Sequence, residues 1–278
     1  MGAADLSVAL EVALGAAREA GGIIMEHYRQ LQQVEKKGAV DLVTEADLAC
    51  EAAIVGTIRR SFPEHAIIAE EGDYQQVGAN DHRWVIDPLD GTTNYVHGLP
   101  IFAVSIGFQV REETELGVVL NPAQGEEFVA VKGQGATLNG EPIHVSKVDH
   151  LQDALLVTGF AYRHDEVFFR SFDLYKELHD RCQGVRRLGA AALDLCYVAA
   201  GRLDAFYEAN LNPWDICAGA LVCRESGGIT TDWCGKPLPF SGERVLASNG
   251  RLHEEVMAVL ARVGPDAVDQ DNPGTISR

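Results

Sequence analysis

The chain has 278 residues, of which 46% are hydrophobic and 23% are charged, proportions typical of a globular protein. It carries 23 lysines and arginines against 41 aspartates and glutamates, which gives a formal net charge of −18. Nucleic acids and anionic membranes bind basic surfaces, so this charge argues against both as main partners. It does not exclude an anionic substrate, because a bound divalent cation reverses the charge locally.

The sequence shows no signal-peptide pattern and no apolar run of the roughly 18 residues that a bilayer span needs. Six cysteines are scattered along the chain, and none forms a C-x-x-C pair, which argues against a zinc site. We therefore expect a cytoplasmic protein with reduced, mostly buried thiols and no membrane partner.

Apolar residues at helical spacing predict a long amphipathic helix over residues 5–34. A second helix is predicted over about 44–61, with Thr44 as its N-cap and Asp47 at the third helical position, a capping-box arrangement. On this spacing alone, helix capping explains Asp47 better than catalysis does.

Two short apolar strands follow, and both end in acids. Residues 66–69 lead into Glu70, and the run from Trp84 to Ile86 leads into Asp87 and Asp90. A single acidic strand end is usually a solvated turn, but two in succession are much less expected by chance.

The segment after the second strand has unusual backbone requirements. Pro88 fixes its own φ near −65°, so a turn is predicted there, and Gly91 permits an unusual backbone path. Thr92 and its neighbours are good residues for a helix start with free N–H groups. A strand that ends in two acids and a helix N-terminus can hold a cation beside a phosphate.

The rest of the chain mixes strands and helices. Residues 101–131 predict an antiparallel meander and 133–140 a hairpin. This order of elements, a helix pair, then a meander and then a mixed second half, predicts one layered α/β domain over residues 1–263, with two lobes that share one site. A disordered tail is predicted over 264–278. The remaining strands are predicted at 154–159, 204–208, 229–231 and 245–248, and the remaining helices at about 165–182, 189–200, 214–226 and 251–262.

Acids at element ends form a candidate metal site if they converge, because so many carboxylates repel one another unless cations are present. Ligands that are all oxygen select calcium or magnesium, and open positions for water and phosphate favour magnesium. The Leu89 carbonyl is a natural extra ligand, and Asp87 could bridge two ions. The candidate acids are Glu70, Asp87, Asp90 and Asp215, with Asp47 and Glu208 on weaker grounds.

Several of these segments resemble the signature of the inositol monophosphatase family, and the resemblance covers roughly residues 5–262. It implies an αβαβα sandwich of the sugar phosphatase type, a lithium-sensitive, magnesium-dependent phosphatase activity and a homodimer. The segments that carry it are Asp41 to Asp47, Glu70–Glu71, the D-P-L-D-G-T-T-N run within Trp84 to Asn94, Trp214–Asp215, Gly219 and Gly227–Gly228.

The resemblance also implies a role for each acid. Glu70, Asp87 and the Leu89 carbonyl would bind one magnesium ion, and Asp87, Asp90 and Asp215 a second. Glu70 would also touch a third, weaker ion.

Other residues would act on the water and the substrate. Thr92, backed by Asp47, would orient and deprotonate the attacking water, which favours a catalytic role for Asp47. Gly91 and Thr92 would donate backbone N–H groups to the phosphate, while Glu208 and Asp215 would contact substrate hydroxyls. The backbone up to Ala191 would line the same pocket, in a segment where relatives often carry a serine or threonine.

The implied substrate is inositol 1-phosphate or a similar polyol phosphate, hydrolysed by direct attack of water. Fructose 1,6-bisphosphate and histidinol phosphate are alternatives on the same scaffold. A non-catalytic metal-binding regulatory protein is the alternative of another class, although a structural cation site would need no water-activating pair such as Thr92 and Asp47. His97 and Arg163 could touch substrate, but structural roles are at least as plausible for each.

Overall fold

The computed structural model describes residues 3–29, 34–36, 42–72, 74, 81–160 and 166–263. The predicted tail over 264–278 lies outside these residues. Within the described ranges, no helix has the length and apolar character to cross a membrane. All six cysteines fall inside them and are free thiols, four of them buried.

Seven α-helices are present in this part of the chain, and each corresponds to a predicted or partly predicted segment. Helix α1 ends seven residues earlier than predicted, and it stops just before Arg29, which has a positive φ of 63°. The helices are α1 (Ala3–His27), α2 (Glu45–Ser61), α3 (Thr92–Val96), α4 (Glu166–His179), α5 (Ala191–Ala199), α6 (Pro213–Glu225) and α7 (His253–Val263).

The strands form two large sheets and one small ribbon. The ribbon pairs β1 (Val34–Lys36) with β2 (Leu42–Thr44), so residue 34, predicted as the end of the first helix, belongs to a strand instead. The first large sheet has the order β3-β4-β5-β6-β7-β8-β9. Its strands are β3 (Ala66–Ala69), β4 (His82–Asp90), β5 (Ala103–Val110), β6 (Glu113–Asn121), β7 (Glu126–Val131), β8 (Gly135–Leu138) and β9 (Glu141–Pro142).

The second large sheet has five strands, in the order β11-β10-β12-β14-β13. Its strand β11 is a three-residue edge strand that the sequence pattern did not predict. The strands are β10 (Leu155–Thr158), β11 (Gly184–Arg186), β12 (Ala205–Ala209), β13 (Ile229–Thr231) and β14 (Arg244–Ser248).

The helices and the two large sheets form five layers, and three clusters of buried apolar side chains pack between them. The predicted αβαβα sandwich is therefore confirmed. The first cluster lies between α1 and α2 and one face of the seven-stranded sheet. The second fills the space between the two sheets around α5 and α6. The third packs α4 and α7 on the outer face of the five-stranded sheet. Each sheet is therefore covered by helices on both faces, as its continuous apolar strands require.

Helix α6 lies unusually close to the first sheet. At Gly117 on β6, a Cβ atom would come within 2.8 Å of the Ala218 carbonyl oxygen and 2.9 Å of its Cα. Both of these atoms are backbone, so neither can move aside without shifting the helix. The close approach fixes the height of α6 between the two sheets.

We expect Gly117→Ala to lower the free energy of unfolding by about 1–3 kcal/mol, because the added methyl overpacks the interface between β6 and α6. Urea unfolding measures the change. Gly15→Ala is the matched control: Gly15 lies on α1, where an added Cβ would meet nothing within 4 Å, so the same change should stabilise by about 0.5–1 kcal/mol. Equal effects of the two changes would contradict the close packing.

Candidate functional site

A cavity of about 150 Å³ opens between the two sheets, where strand ends and helix N-termini meet. The acids predicted to converge lie in it, together with the backbone segments predicted to hold phosphate. Its lining includes Glu70, Asp87, Leu89, Asp90, Gly91, Thr92, Ala191, Glu208 and Asp215. Asp47 lies behind this lining and reaches it through a hydrogen bond to Thr92.

Two acids reach the cavity from neighbouring parallel strands. Strand β3 pairs in parallel with β4, and Ala69 lies opposite Ile86. Glu70, which follows β3, therefore lies beside Asp87 at the same end of this strand pair. This is the convergence that two successive acidic strand ends predicted.

The strand does not turn at Pro88 as predicted; β4 continues to Asp90 through a bulge. Asp87 pairs with Ser105 and Asp90 with Ala103, so β4 has one more residue than β5 between these pairs. Side chains alternate along a strand, and residues three apart would point to opposite faces. The extra residue shifts this alternation, so both carboxylates face one cavity.

Asp90 is held by the N-terminus of α5. Its Oδ2 accepts a hydrogen bond from the Ala192 N–H at 2.8 Å, across 102 positions of sequence. The next residue, Gly91, has a φ of 88°, and a Cβ there would lie 2.9 Å from the Ile101 carbonyl oxygen. The predicted need for glycine is thus met by both the backbone angle and the lack of space.

Thr92 connects the cavity to helix α2. Its hydroxyl lies 3.2 Å from Asp47 Oδ1 and 3.1 Å from the Leu89 carbonyl oxygen. A hydroxyl has one hydrogen, so it donates to only one of these acceptors at a time. The predicted capping box is also present, with the Thr44 N–H 2.8 Å from Asp47 Oδ2. Asp47 therefore caps α2 with one oxygen and contacts Thr92 with the other.

The second sheet and α6 supply the opposite wall. Asp215 Oδ2 accepts a hydrogen bond from the Asn212 N–H at 2.7 Å, which fixes it in the first turn of α6. Glu208 on β12 lies against Gly159, where an added Cβ would collide with its carboxylate. Both carboxylates stay partly accessible from the cavity mouth, although the surrounding protein removes most of their water.

Burial and mutual repulsion raise the pKa of four carboxyls that line the cavity. Burial, then Glu70, raise the pKa of Asp87 well above its ordinary value. Burial raises the pKa of Asp90 to about 7 and, together with the charge of Asp90, that of Asp215 to about 7. Burial and Asp215 raise the pKa of Glu208 to about 8. Such a group of acids binds protons or cations readily.

These donors fit a hard divalent cation, since carboxylate and carbonyl oxygens are the ligands that magnesium and calcium prefer. Within the described residues, however, no three aspartate, glutamate, histidine or cysteine side chains converge as a compact ligand cluster. The carboxylates therefore surround a shared space and do not meet at one point.

We expect the stabilisation by magnesium to grow with pH. Acids with raised pKa stabilise the metal-free fold below about pH 4, the ordinary range of unfolded carboxyls, and lose this contribution as the pH rises through about 7 to 8. A bound cation competes with these protons, so saturating Mg²⁺ should raise Tm little at pH 5 and by several degrees at pH 8. Calorimetric scans with EDTA or Mg²⁺, at matched ionic strength, test this. Equal shifts at the two pH values would contradict a carboxylate site.

Two charged residues of this region were not predicted from the sequence. Arg187 lines the cavity, and its charge lowers the pKa of Asp90, Asp194 and Glu208 against the effect of burial. Asp194 is 1% exposed on α5, and no described residue bonds its Oδ1. Asp194 could have been found from the sequence as an acid inside an apolar helix. Arg187 could have been found because it lies four residues before Ala191, whose backbone was predicted to line the pocket.

Of the two further residues that could touch substrate, His97 and Arg163, the described part of the chain tests only His97. His97 is exposed at the end of α3, and it is not among the described residues that line the cavity. Arg163 lies outside the described residues.

Comparison with known proteins places the chain among relatives over nearly its full length. The model of the inositol monophosphatase family matches residues 5–264. The inositol-1-monophosphatase of Synechocystis is 46% identical over 259 residues, which cover 92% of this chain and 90% of that protein. The Nus factor SuhB of Escherichia coli K12 is 43% identical, with 94% of this chain and 97% of that protein covered.

Solved structures agree with these sequence relatives. The inositol monophosphatase of Anabaena superposes with a TM-score of 0.82 at 39% identity, covering 94% of this chain and 98% of that one. On the sequence match and the shared fold, the chain belongs to the inositol monophosphatase family.

Proposed function

We propose that this protein is a magnesium-dependent phosphomonoesterase that hydrolyses inositol 1-phosphate or a similar polyol phosphate. Membership of the inositol monophosphatase family supports a phosphatase. The observation that carries the proposal is the contact of Thr92 with Asp47, 3.2 Å apart, at the edge of a carboxylate-lined cavity. A structural cation site would not need this pair, so the contact favours an enzyme over a non-catalytic metal-binding protein.

The proposed magnesium ligands are the carboxylates of Glu70, Asp87, Asp90 and Asp215 and the carbonyl of Leu89, for two or three ions. When bound, magnesium would neutralise the carboxylates, lower the pKa of a nearby water and offset the charge of the leaving oxygen. All five residues line one cavity. Asp87, which feels the charges of Glu70, Asp90 and Asp215, is the member best placed to serve two ions.

Thr92 and Asp47 are proposed to orient and deprotonate the attacking water. Burial raises the pKa of Asp47 to about 6, so this carboxyl is mostly ionised at neutral pH and can accept a proton. When the Thr92 hydroxyl donates to Asp47, its lone pairs are free to accept a hydrogen from water. Water can then give a proton to the Thr92 hydroxyl while the hydroxyl gives its own to Asp47 Oδ1. Glu70 borders the same space.

The substrate is proposed to lie between the two sheets. The N–H groups of Gly91 and Thr92 would hold the phosphate; both residues line the cavity at the start of α3. Glu208 and Asp215 on the opposite wall would accept hydrogen bonds from substrate hydroxyls, beside the backbone of Ala191. The preference for a polyol over an apolar ester follows from these acceptors.

A phosphate-release panel tests this function directly. We expect hydrolysis of inositol 1-phosphate with Mg²⁺, loss of activity with EDTA and inhibition by lithium. Fructose 1,6-bisphosphate, histidinol phosphate and an adenosine bisphosphate in the same panel distinguish the alternatives. If one of them gives a higher kcat/KM than inositol 1-phosphate, that ester replaces inositol 1-phosphate as the proposed substrate. If no phosphate is released from any ester, the proposal that the protein is an enzyme is contradicted.

Location, assembly and ligand class are proposed on separate grounds. We propose that the chain is cytoplasmic, because its six cysteines are free thiols, as is typical of a reducing compartment. Residues 1–263 are proposed to act as one domain, and the family resemblance supports a homodimer. The net charge of −18 supports a small-molecule substrate over nucleic acid as the main ligand.

A further inference from the structure

Helix α2 carries two buried acids four residues apart, and only one of them belongs to the machinery proposed above. Asp47 contacts Thr92, while Glu51 lies four residues further along the helix and is 3% exposed. Residues at this spacing lie one above the other on a helix. A buried glutamate is rare unless its oxygens have partners, so its contacts carry information.

The two oxygens of Glu51 hold the segment that follows strand β3. Its Oε2 accepts a hydrogen bond from the Glu71 N–H at 2.8 Å. Its Oε1 accepts one from the Tyr74 hydroxyl, also at 2.8 Å. Burial, followed by the bond to Glu51, raises the pKa of Tyr74 to about 12, so the phenol remains a donor at neutral pH.

The segment after β3 also packs closely against the Glu51 side chain. At Gly72, a Cβ would lie 2.7 Å from Glu51 Oε1 and 2.6 Å from the Tyr74 ring. The chain therefore wraps tightly over the carboxylate directly after Glu70. Strand pairing of Ala69 with Ile86 holds Glu70 on one side, and the bond from Glu71 to Glu51 holds it on the other.

We propose that Glu51 is a positioning residue that fixes Glu70 at the cavity and joins it, through α2, to the pair of Thr92 and Asp47. This inference rests on the proposed function, because it assigns Glu70 to the metal site. Loss of Glu51 leaves the Glu71 N–H without this acceptor and lets Glu70 move away from Asp87. Supporting residues of this kind typically change metal affinity or activity by about 10–100-fold.

The test compares Glu51→Ala, Glu51→Gln and Tyr74→Phe with the wild type in Mg²⁺ calorimetry and in phosphate release. We expect Glu51→Ala to raise the Mg²⁺ concentration for half-maximal activity by about 10-fold or more, with KM for the ester unchanged at saturating Mg²⁺. Glu51→Gln keeps an acceptor for the Glu71 N–H and should stay within about threefold of the wild type. Tyr74→Phe removes one bond and should give a smaller shift in the same direction as Glu51→Ala.

The control is Glu11→Ala, which removes an exposed glutamate from α1 and should leave both readouts unchanged. A Glu51→Ala protein with a lower Tm but unaltered Mg²⁺ affinity and turnover would overturn the proposal, because Glu51 would then be only structural. If Glu51→Ala does not fold, Glu51→Asp, which is too short to reach both partners, decides by the same criteria. A wild type that binds Mg²⁺ but releases no phosphate would contradict the proposed function, while calorimetry would still test Glu51.

Discussion

Asp90→Asn is expected to reduce phosphate release from inositol 1-phosphate by roughly three orders of magnitude at saturating Mg²⁺. The change replaces one carboxylate oxygen that faces the cavity with an amide NH₂, which cannot bind a cation. The remaining oxygen can still accept the hydrogen bond from the Ala192 N–H, which is 2.8 Å long in the wild type. The local fold should therefore survive the change.

The Tm of Asp90→Asn distinguishes loss of the metal site from loss of the fold. Asp90 raises the pKa of Asp87 and Asp215 through its charge, so the neutral amide relieves repulsion in the metal-free protein. We expect Tm in EDTA at pH 8 to be unchanged or higher in Asp90→Asn. Asp173→Asn, on the exposed face of α4, is the control with the same chemistry. Unchanged turnover in the Asp90 variant would refute the proposed site.

Thr92→Val should lower kcat by about 10²–10⁴-fold while Mg²⁺ binding is kept. Valine has nearly the shape of threonine but lacks the hydroxyl that lies 3.2 Å from Asp47 Oδ1 and 3.1 Å from the Leu89 carbonyl. The proposed path of the proton from water to Asp47 is then broken. Single-turnover phosphate release and Mg²⁺ calorimetry measure the two effects separately.

The pair should behave as a unit. If Thr92 and Asp47 act on the same proton, the double variant Thr92→Val/Asp47→Asn should be little slower than the slower single variant. Thr137→Val, on β8 and outside the cavity lining, is the control for the loss of a hydroxyl. Failure of Thr92→Val to bind Mg²⁺ would instead assign Thr92 a structural role.

Much of the fold follows from local pattern. The capping box of Thr44 and Asp47 was readable because its partners are three residues apart, and the structure confirms it. The strand at 66–69 and the main helices were also predictable from local sequence, because burial of one face imposes a hydrophobic period on the sequence. Local sequence did not predict three features: the early end of α1, the strand β11 and the path of the chain at Pro88. Each of them depends on a neighbouring strand or on a single backbone angle.

The bulge in β4 illustrates why the candidate site needed the structure. Sequence indicated two acids and a proline, and a turn was the natural local prediction. Pairing with β5 instead keeps the segment in the sheet and places the extra residue between Asp87 and Asp90. Only this pairing decides that both carboxylates face the same cavity.

The sequence by itself determined the oxygen-rich chemistry, the αβαβα class and the elements that end in acids, because composition, short-range periodicity and the family's motifs encode them. The tertiary structure decided which acids meet. It brought Asp215, Glu208 and the N-terminus of α5 to the strand ends of Glu70 and Asp87, and it revealed Arg187, Asp194 and Glu51. Contacts between residues more than a hundred positions apart depend on how layers pack, and no local pattern carries that information.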